Sequence, residues 1–218
     1  GLNDFLPSWR RGVTFAQPFE ISGSVKDMIE ALGVPHTEVD LILVNETPVD
    51  FTWLVQDGDR ISVYPVFESI DIAPLPRMQP QPPSEIRFVL DTHLGRLASY
   101  LRMLGFDTLY RNDYQDRELA EISASQGRIL LTMDRGLLKR GVVTHGYLVR
   151  ETDPRQQLRE VVQRFDLSRL ASPFERCLRC NALLEPAPKE SISHRLPPKA
   201  GQYYDEFHVC PALGGKRW

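Results

Sequence analysis

The sequence predicts two folded units of different class: a small α+β domain built on an antiparallel sheet, and a larger α/β domain built on a mostly parallel one. Three observations predict this. First, residues 73–84 hold five prolines in twelve positions. Proline fixes φ and removes an amide donor, so the stretch reads as a semi-extended spacer. Second, short β-rich runs surround a single amphipathic helix before the spacer, whereas strands and helices alternate at short intervals after it. Third, charge divides at the same place. Residues 1–75 carry 4 Lys/Arg against 12 Asp/Glu, and the remainder carries 22 against 17. Such asymmetry points to two modules with different partners.

In the first unit, Val13-Thr14-Phe15 and Phe19-Glu20-Ile21 read as an opening hairpin. Ser24 caps a helix running to Leu32, with Val25, Met28, Ile29 and Leu32 on one face and Gly33 as its stop. Leu41–Val44 is a strand, Asn45-Glu46 a turn, and Arg60–Val66 a last strand announced by Asp57-Gly58-Asp59. The order ββαββ is a β-grasp pattern. Val44–Val49 and Leu54–Ile61 resemble the ubiquitin-like sulfur-carrier domains. A working carrier of that kind ends in an exposed Gly-Gly. Here the last strand runs on into Phe67–Ile70 and the spacer, which argues against carrier chemistry for residues 1–72.

In the second unit, strand 86–90 leads into a helix from Thr92, with Leu94, Leu97, Ala98, Leu101 and Leu104 at helical spacing and Gly105 ending it. Asp107–Tyr110 is a short strand, Asp116–Gln126 a helix, and 128–132 a strand after Gly127. Gly146–Val149 is the fourth strand, and Pro154 opens a helix reaching Phe165.

Three carboxylates stand where these elements converge. Asp91 and Asp134 end apolar strands, and Asp116 opens a helix. Strand C-termini and helix N-termini share one rim of an open α/β sheet, where such folds bind ligands. Aspartates gathered there repel one another unless a cation separates them, and hard carboxylate oxygens suit Mg²⁺ or Mn²⁺. That pattern points to metal-assisted phosphodiester cleavage. Asp113 and Glu118 are secondary candidates, and His93 is a candidate base. Plainer roles exist: Asp116 capping its helix, Asp134 opening the short helix of Leu137 and Leu138, and His93 as an exposed polar residue. Arg96, Arg135, Lys139 and Arg140 are candidate phosphate contacts, which confer salt-dependent, sequence-independent affinity. Arg102 belongs with them or on the outer face of its helix.

Phe88–Ala98, Leu101–Thr108, Asn112-Asp113 with Asp116–Ala120, and Arg128–Arg135 together resemble the start and middle of a Mut7-C domain, a PIN-like RNase module. The agreement runs from Ile86 to Phe207, and fusion to an N-terminal ubiquitin-like domain resembles the Mut7-C ubiquitin/RNase arrangement. The resemblance implies a PIN-like three-layer fold over residues 85–170, with Asp91, Asp116 and Asp134 holding Mg²⁺ or Mn²⁺ to hydrolyse RNA, whether single-stranded, tRNA or ribosomal. It further implies a zinc ribbon over 171–218. Cys177, Cys180 and Cys210 fit that ribbon, but Leu213 stands where a fourth cysteine is expected. The tail is thus a degenerate zinc ribbon, with water, His208 or His194 as substitutes for the missing ligand, or with no Zn²⁺ at all.

A hydrophobic share of 42% and a charged share of 25% are ordinary for a globular protein. No apolar run approaches the ~20 residues of a membrane helix. Residues 1–5 lack the basic-then-apolar layout of a secretory signal. Three cysteines are too few for a disulfide framework, so a reducing cytoplasm is expected. The acidic domain is expected to bind a protein, or to fold over the basic module and regulate access. A second reading from another class is an RNA- or ribosome-binding protein with little or no cleavage. It needs only a basic groove, with the aspartates free to diverge or to pair with arginines.

Overall fold

The computed structural model describes residues 1–20, 22–65, 78 and 85–213. Two short 3-10 turns, Leu2–Phe5 and Ser8–Arg10, open the chain, and Phe5 is buried. Helix α1, Val25–Ala31, starts at Ser24. The Ser24 hydroxyl accepts from the Asp27 amide at 3.1 Å while Asp27 Oδ2 accepts from the Ser24 amide at 3.2 Å. This reciprocal box satisfies two amides that the helix start leaves without intrahelical partners.

Strands β1 (Val39–Val44), β2 (Thr47–Pro48) and β3 (Ile61–Pro65) form an antiparallel sheet in the order β2-β1-β3. The two-residue turn between β1 and β2 holds Asn45 at φ 49° and Glu46 at φ 67°, the doubly left-handed geometry that suits a twisted hairpin. Asn45 accepts from the Arg60 amide and donates to Asp59 Oδ1, both at 2.9 Å, tying the turn to the entry of β3. The expected opening hairpin is not formed: residues 13–20 carry no strand, and Ile21 lies outside the described residues. β-branched residues favour a pleated surface only where a partner strand supplies one, and β1–β3 pair among themselves. The expected residue Val66 and nearly all of the proline spacer also lie outside the described residues. Met78 is the exception, and its amide donates to the Asp40 carbonyl at 2.7 Å.

The second sheet contains β4 (Phe88–Leu90), β5 (Thr108–Tyr110), β6 (Ile129–Thr132) and β7 (Gly146–Leu148), all parallel, in the order β5-β4-β6-β7. Helices α2 (Gly95–Met103), α3 (Asp116–Gln126), α4 (Arg135–Leu138) and α5 (Pro154–Arg164) connect and flank them. Phe88, Leu90, Ile129, Leu131 and Tyr147 meet Leu97 and Leu101 of α2 and Val161 of α5 on one face. Val89, Leu130 and Leu148 meet Leu119 of α3 and Leu137 and Leu138 of α4 on the other. The strands are therefore near-continuous apolar runs, as a sheet covered on both faces requires. The chain runs outward from β4 to β5, then crosses back to β6. The switch point thus falls between the C-terminal ends of β4 and β6.

Gly105 ends the α2 turn at φ 94°, and a Cβ there would lie 2.2 Å from the Ser172 carbonyl oxygen. Only glycine admits both the left-handed backbone and that approach. The tail adds β8 (Glu185–Pro186), the short helices α6 (Lys189–Ile192) and α7 (Pro198–Tyr203), and β9 (His208–Val209), which pairs antiparallel with β8.

The two sheets share one core. Phe5, Val25, Ile29 and Val34 cluster with Leu137, Leu138, Val143 and Leu148. At the free edge of β7, the Leu148 amide donates to Glu38 Oε1 at 3.0 Å, and Glu38 Oε2 is 3.3 Å from Arg150. Arg150 also lies 3.7 Å from Asp4 and 3.7 Å from Glu160. His36 sits between Glu30 Oε1 at 2.7 Å and the Val143 carbonyl at 2.9 Å. The acidic domain thus spends part of its charge on the basic one.

Candidate active site and cysteine cluster

The β4 and β6 termini bring two of the three aspartates together. Asp91 follows β4 and is 8% exposed, and Thr92 and Thr132 donate hydroxyls to its two oxygens at 3.0 and 2.7 Å. Thr132 is the last residue of β6 and fully buried, and its hydroxyl oxygen accepts from the Asp134 amide at 2.9 Å. One threonine therefore couples both acidic segments. Asp134 in turn accepts from the Gly136 amide at 2.7 Å, so it does open α4 as its N-cap. Tyr110, at the end of β5, fixes the neighbouring turn by donating to the Thr92 carbonyl at 2.9 Å. Its hydroxyl would lie 2.6 Å from a Cβ at Gly95, so the glycine makes room for it. The sequence reading missed Thr132 and Tyr110, though Thr132 lay two residues before Asp134.

Asp116 stands apart. It is the first residue of α3 rather than its cap, since Gln115 holds the N-cap position, and its Oδ2 is 3.8 Å from Arg140. Asp113 is gripped by Arg111 at 2.7 Å, which holds its carboxyl below the usual range, and Glu118 lies 3.7 Å from the same arginine. His93 is exposed beside the rim. Asp91, Asp116 and Asp134 do not gather their ligand atoms within 4.8 Å of one another.

The basic candidates divide as well. Arg96 is exposed on α2. Arg135 reaches the Phe5 carbonyl at 3.5 Å and lies over the Phe5 ring, 5.2 Å from its centroid. Lys139 donates to the Glu30 carbonyl. Those two turn toward the N-terminal domain, while Arg140 pairs with Asp116. Arg102 corrects its expectation outright: it is 3% exposed and donates to the carbonyls of Thr108, Leu178 and Arg179 at 2.9–3.0 Å. It neither solvates a helix face nor reaches a phosphate, because the tail folds over it.

That tail carries the one group of three metal-ligating side chains found among the described residues with all ligand atoms within 4.8 Å: Cys177, Cys180 and Cys210. Cys180 Sγ and Cys210 Sγ are 3.3 Å apart. Burial raises the Cys177 thiol, but the amides of Cys180 and Arg179 and the neighbouring thiols outweigh it, so the thiol is held below its ordinary value. Thiolates in this grouping suit a soft or borderline ion such as Zn²⁺. The knuckle is built into the domain. Asn181, at φ 68°, accepts from the Thr108 amide at 2.9 Å and donates to Asp107 Oδ1 at 2.7 Å. Thr108 begins β5, so the cluster sits at the N-terminal end of the sheet, opposite the aspartates. His194 and His208, proposed substitutes for the missing ligand, do not join it.

An open parallel α/β sheet with carboxylates at its switch point, joined to a small antiparallel domain and a cysteine knuckle, defines the class of a two-domain α/β protein with an acidic rim. The chain belongs to the Mut7-C RNAse domain family, whose model matches residues 86–218, and the Mut7-C ubiquitin model matches residues 1–71. No curated protein matches the chain, and no solved structure does. Among the described residues, no helix is long and apolar enough to cross a membrane.

Proposed function

We propose that the chain is a metal-dependent ribonuclease that hydrolyses RNA phosphodiester bonds at the rim formed by Asp91 and Asp134, with Asp116 completing the acidic set. The observation that carries this reading is the Asp91–Thr132–Asp134 linkage at the switch point of a chain whose larger part matches an RNase domain. Thr92 and Thr132 orient both oxygens of Asp91, and the α4 cap orients Asp134, so the two carboxylates are held before any ligand arrives. Hard oxygens in that setting fit Mg²⁺ or Mn²⁺. The ion, when bound, supplies positive charge to the scissile phosphate and an acidified water. Arg96 and Arg140 face outward near the rim for phosphate contacts, whereas Arg135 and Lys139 serve RNA only if they leave Phe5 and Glu30. Single-stranded, transfer or ribosomal RNA in the cytoplasm is the substrate class this reading takes.

One observation favours the second reading, an RNA- or ribosome-binding protein without cleavage: Asp116 already pairs with an arginine. End-labelled single-stranded and structured RNAs incubated with Mn²⁺, Mg²⁺ or EDTA separate the two. Cleavage with metal, reduced about 100-fold or more in Asp91→Asn, is the expected result. RNA left intact by both proteins, yet bound in a salt-sensitive way, would establish the binding protein instead.

A further inference from the structure

The 3-10 turn Leu2–Phe5 offers two arginines the groups that a nucleotide offers. The Phe5 ring centroid lies 5.2 Å from the Arg135 guanidinium and 5.3 Å from that of Arg150. The Phe5 carbonyl is 3.5 Å from Arg135, and the Asp4 carboxylate is 3.7 Å from Arg150. When RNA binds a protein, its bases stack on guanidinium planes and its phosphate oxygens pair with arginine and lysine. Asp4 and Phe5 supply a carboxylate, a ring face and a carbonyl to the same kinds of donor. Lys139, just past α4, meets the Glu30 carbonyl in the same manner.

Arg135 follows Asp134 directly, so the turn sits beside the acidic rim. Arg135 is nonetheless exposed, and its contact with the Phe5 carbonyl is longer than an ordinary hydrogen bond. A four-residue 3-10 turn is itself weakly bonded, and such segments open locally at less cost than the fold as a whole. The firmer holds between the domains lie elsewhere. Glu38 accepts from the Leu148 amide at 3.0 Å, His36 meets the Val143 carbonyl at 2.9 Å, and Val25, Ile29 and Val34 join the shared core. What anchors the turn is the buried Phe5 ring, and a base stacked on the same guanidiniums replaces part of that contact.

We propose, resting on the RNA reading of the rim, that Asp4 and Phe5 form an internal nucleotide mimic in the RNA path, which RNA displaces when it binds. Arg150 thereby joins Arg135 as an RNA contact, and the N-terminal domain restrains the rim through one short turn while the two sheets stay docked. The coupling is reciprocal: whatever loosens the turn tightens RNA, and RNA loosens the turn by the same factor.

The anisotropy of end-labelled single-stranded RNA, titrated with the full chain in EDTA, tests this without cleavage. Phe5→Leu keeps an apolar side chain in the core but removes the ring. Asp4→Asn removes the carboxylate from a half-exposed side chain. Both should bind RNA several-fold tighter than wild type, and the neutral Phe5→Leu separates displacement from simple loss of negative charge. Hydrogen exchange on the wild type needs no variant. Bound RNA should speed exchange of the Leu6 amide, which donates to the Asn3 carbonyl at 3.1 Å. RNA affinity unchanged or weakened in folded Phe5→Leu would overturn the mimic alone, as would a Leu6 amide unmoved or slowed by bound RNA. If neither wild type nor variants bind RNA, the RNA reading of the rim falls and the mimic with it.

Discussion

The two ends of the parallel sheet treat charge in opposite ways. At the N-terminal end, Asp107 receives Arg128 at 2.8 and 3.1 Å and Asn181 at 2.7 Å, while Arg102 spends its donors on three carbonyls. Arg102, Arg128 and Asn181 are each under 9% exposed, and buried charges persist only when partnered in this way. At the C-terminal end, Asp91 and Asp134 lean on hydroxyls and amides, without a described cation in salt-bridge contact with either. Like charges left without counter-charge are what a ligand site retains and a structural lock does not. The lower end closes the tail onto the domain, and the upper end keeps two carboxylates with no described cation in salt-bridge contact.

The largest effect should come from the closed end. Asp107→Ala leaves the buried Arg128 without its counter-charge, with only Gln126 Oε1 and the Phe88 and Asp107 carbonyls as acceptors, and breaking one partner of a buried pair costs about 3–5 kcal/mol. Urea unfolding should show that loss. A change under about 1 kcal/mol, the worth of a surface pair, would mean that the two ends do not differ as described. The same residue gives a pH signature. Burial pushes the Asp107 carboxyl up, but hydrogen bonds and charge from Arg128 and Asn181 outweigh it and hold the carboxyl below its ordinary value. A depressed folded value contributes stability above the unfolded carboxylate value of about 3.9, and that stability is lost as pH falls through the folded value. The urea midpoint of the wild type should therefore fall steeply with acidification below about pH 4. The Asp107→Asn protein should start lower and show a shallower acid slope.

Thr132→Val comes next. The change keeps volume but removes the hydroxyl that serves both Asp91 and the Asp134 amide, which should cost about 1–3 kcal/mol. Thr132→Ser should recover most of it. Because Thr132 belongs to the upper end, its loss should also weaken Mn²⁺ binding, which Asp107→Asn should leave alone at neutral pH. Titration calorimetry with both variants sharpens the contrast between an end that holds shape and an end proposed to hold a ligand.

Much of this was legible in the sequence because local signals and tertiary packing agreed. Helix α3 spans Asp116–Gln126 as expected, since Gly127 at φ 60° supplies the left-handed stop. The apolar runs became β4 and β6, so Asp91 and Asp134 fell at the rim. What failed needed contacts from far along the chain. Arg102 has a surface residue's composition, yet its partners lie 76 and 77 residues away. Arg135 and Lys139 look like phosphate ligands until Phe5 and Glu30 arrive from 130 and 109 residues away. Residues 13–20 alternate like a hairpin but gain no pairing partner. The charge split between the halves points to two partners, but part of it is satisfied within the molecule, at Glu38, Asp4 and Arg150.

The smallest change bears most directly on Asp116. Arg140 and Asp116 are both about half exposed, at 45% and 53%, and 3.8 Å apart, so their pair should contribute no more than about 1 kcal/mol to stability. Arg140→Ala should thus leave the urea midpoint nearly unmoved. If Asp116 is a metal ligand, however, Arg140 competes with the ion for its oxygen, and removing it should tighten Mn²⁺ binding several-fold in the absence of RNA. RNA affinity measured in EDTA should move the other way, with a slightly shallower salt dependence, because one phosphate contact is gone. Opposite shifts in the two titrations would place Asp116 in the metal set and Arg140 in the RNA path. Unchanged Mn²⁺ affinity beside weakened RNA binding would leave Asp116 as the arginine's anchor and confine the metal to Asp91 and Asp134. The upper end would then hold two working carboxylates, with Arg140 and Asp116 forming a fixed pair beside them.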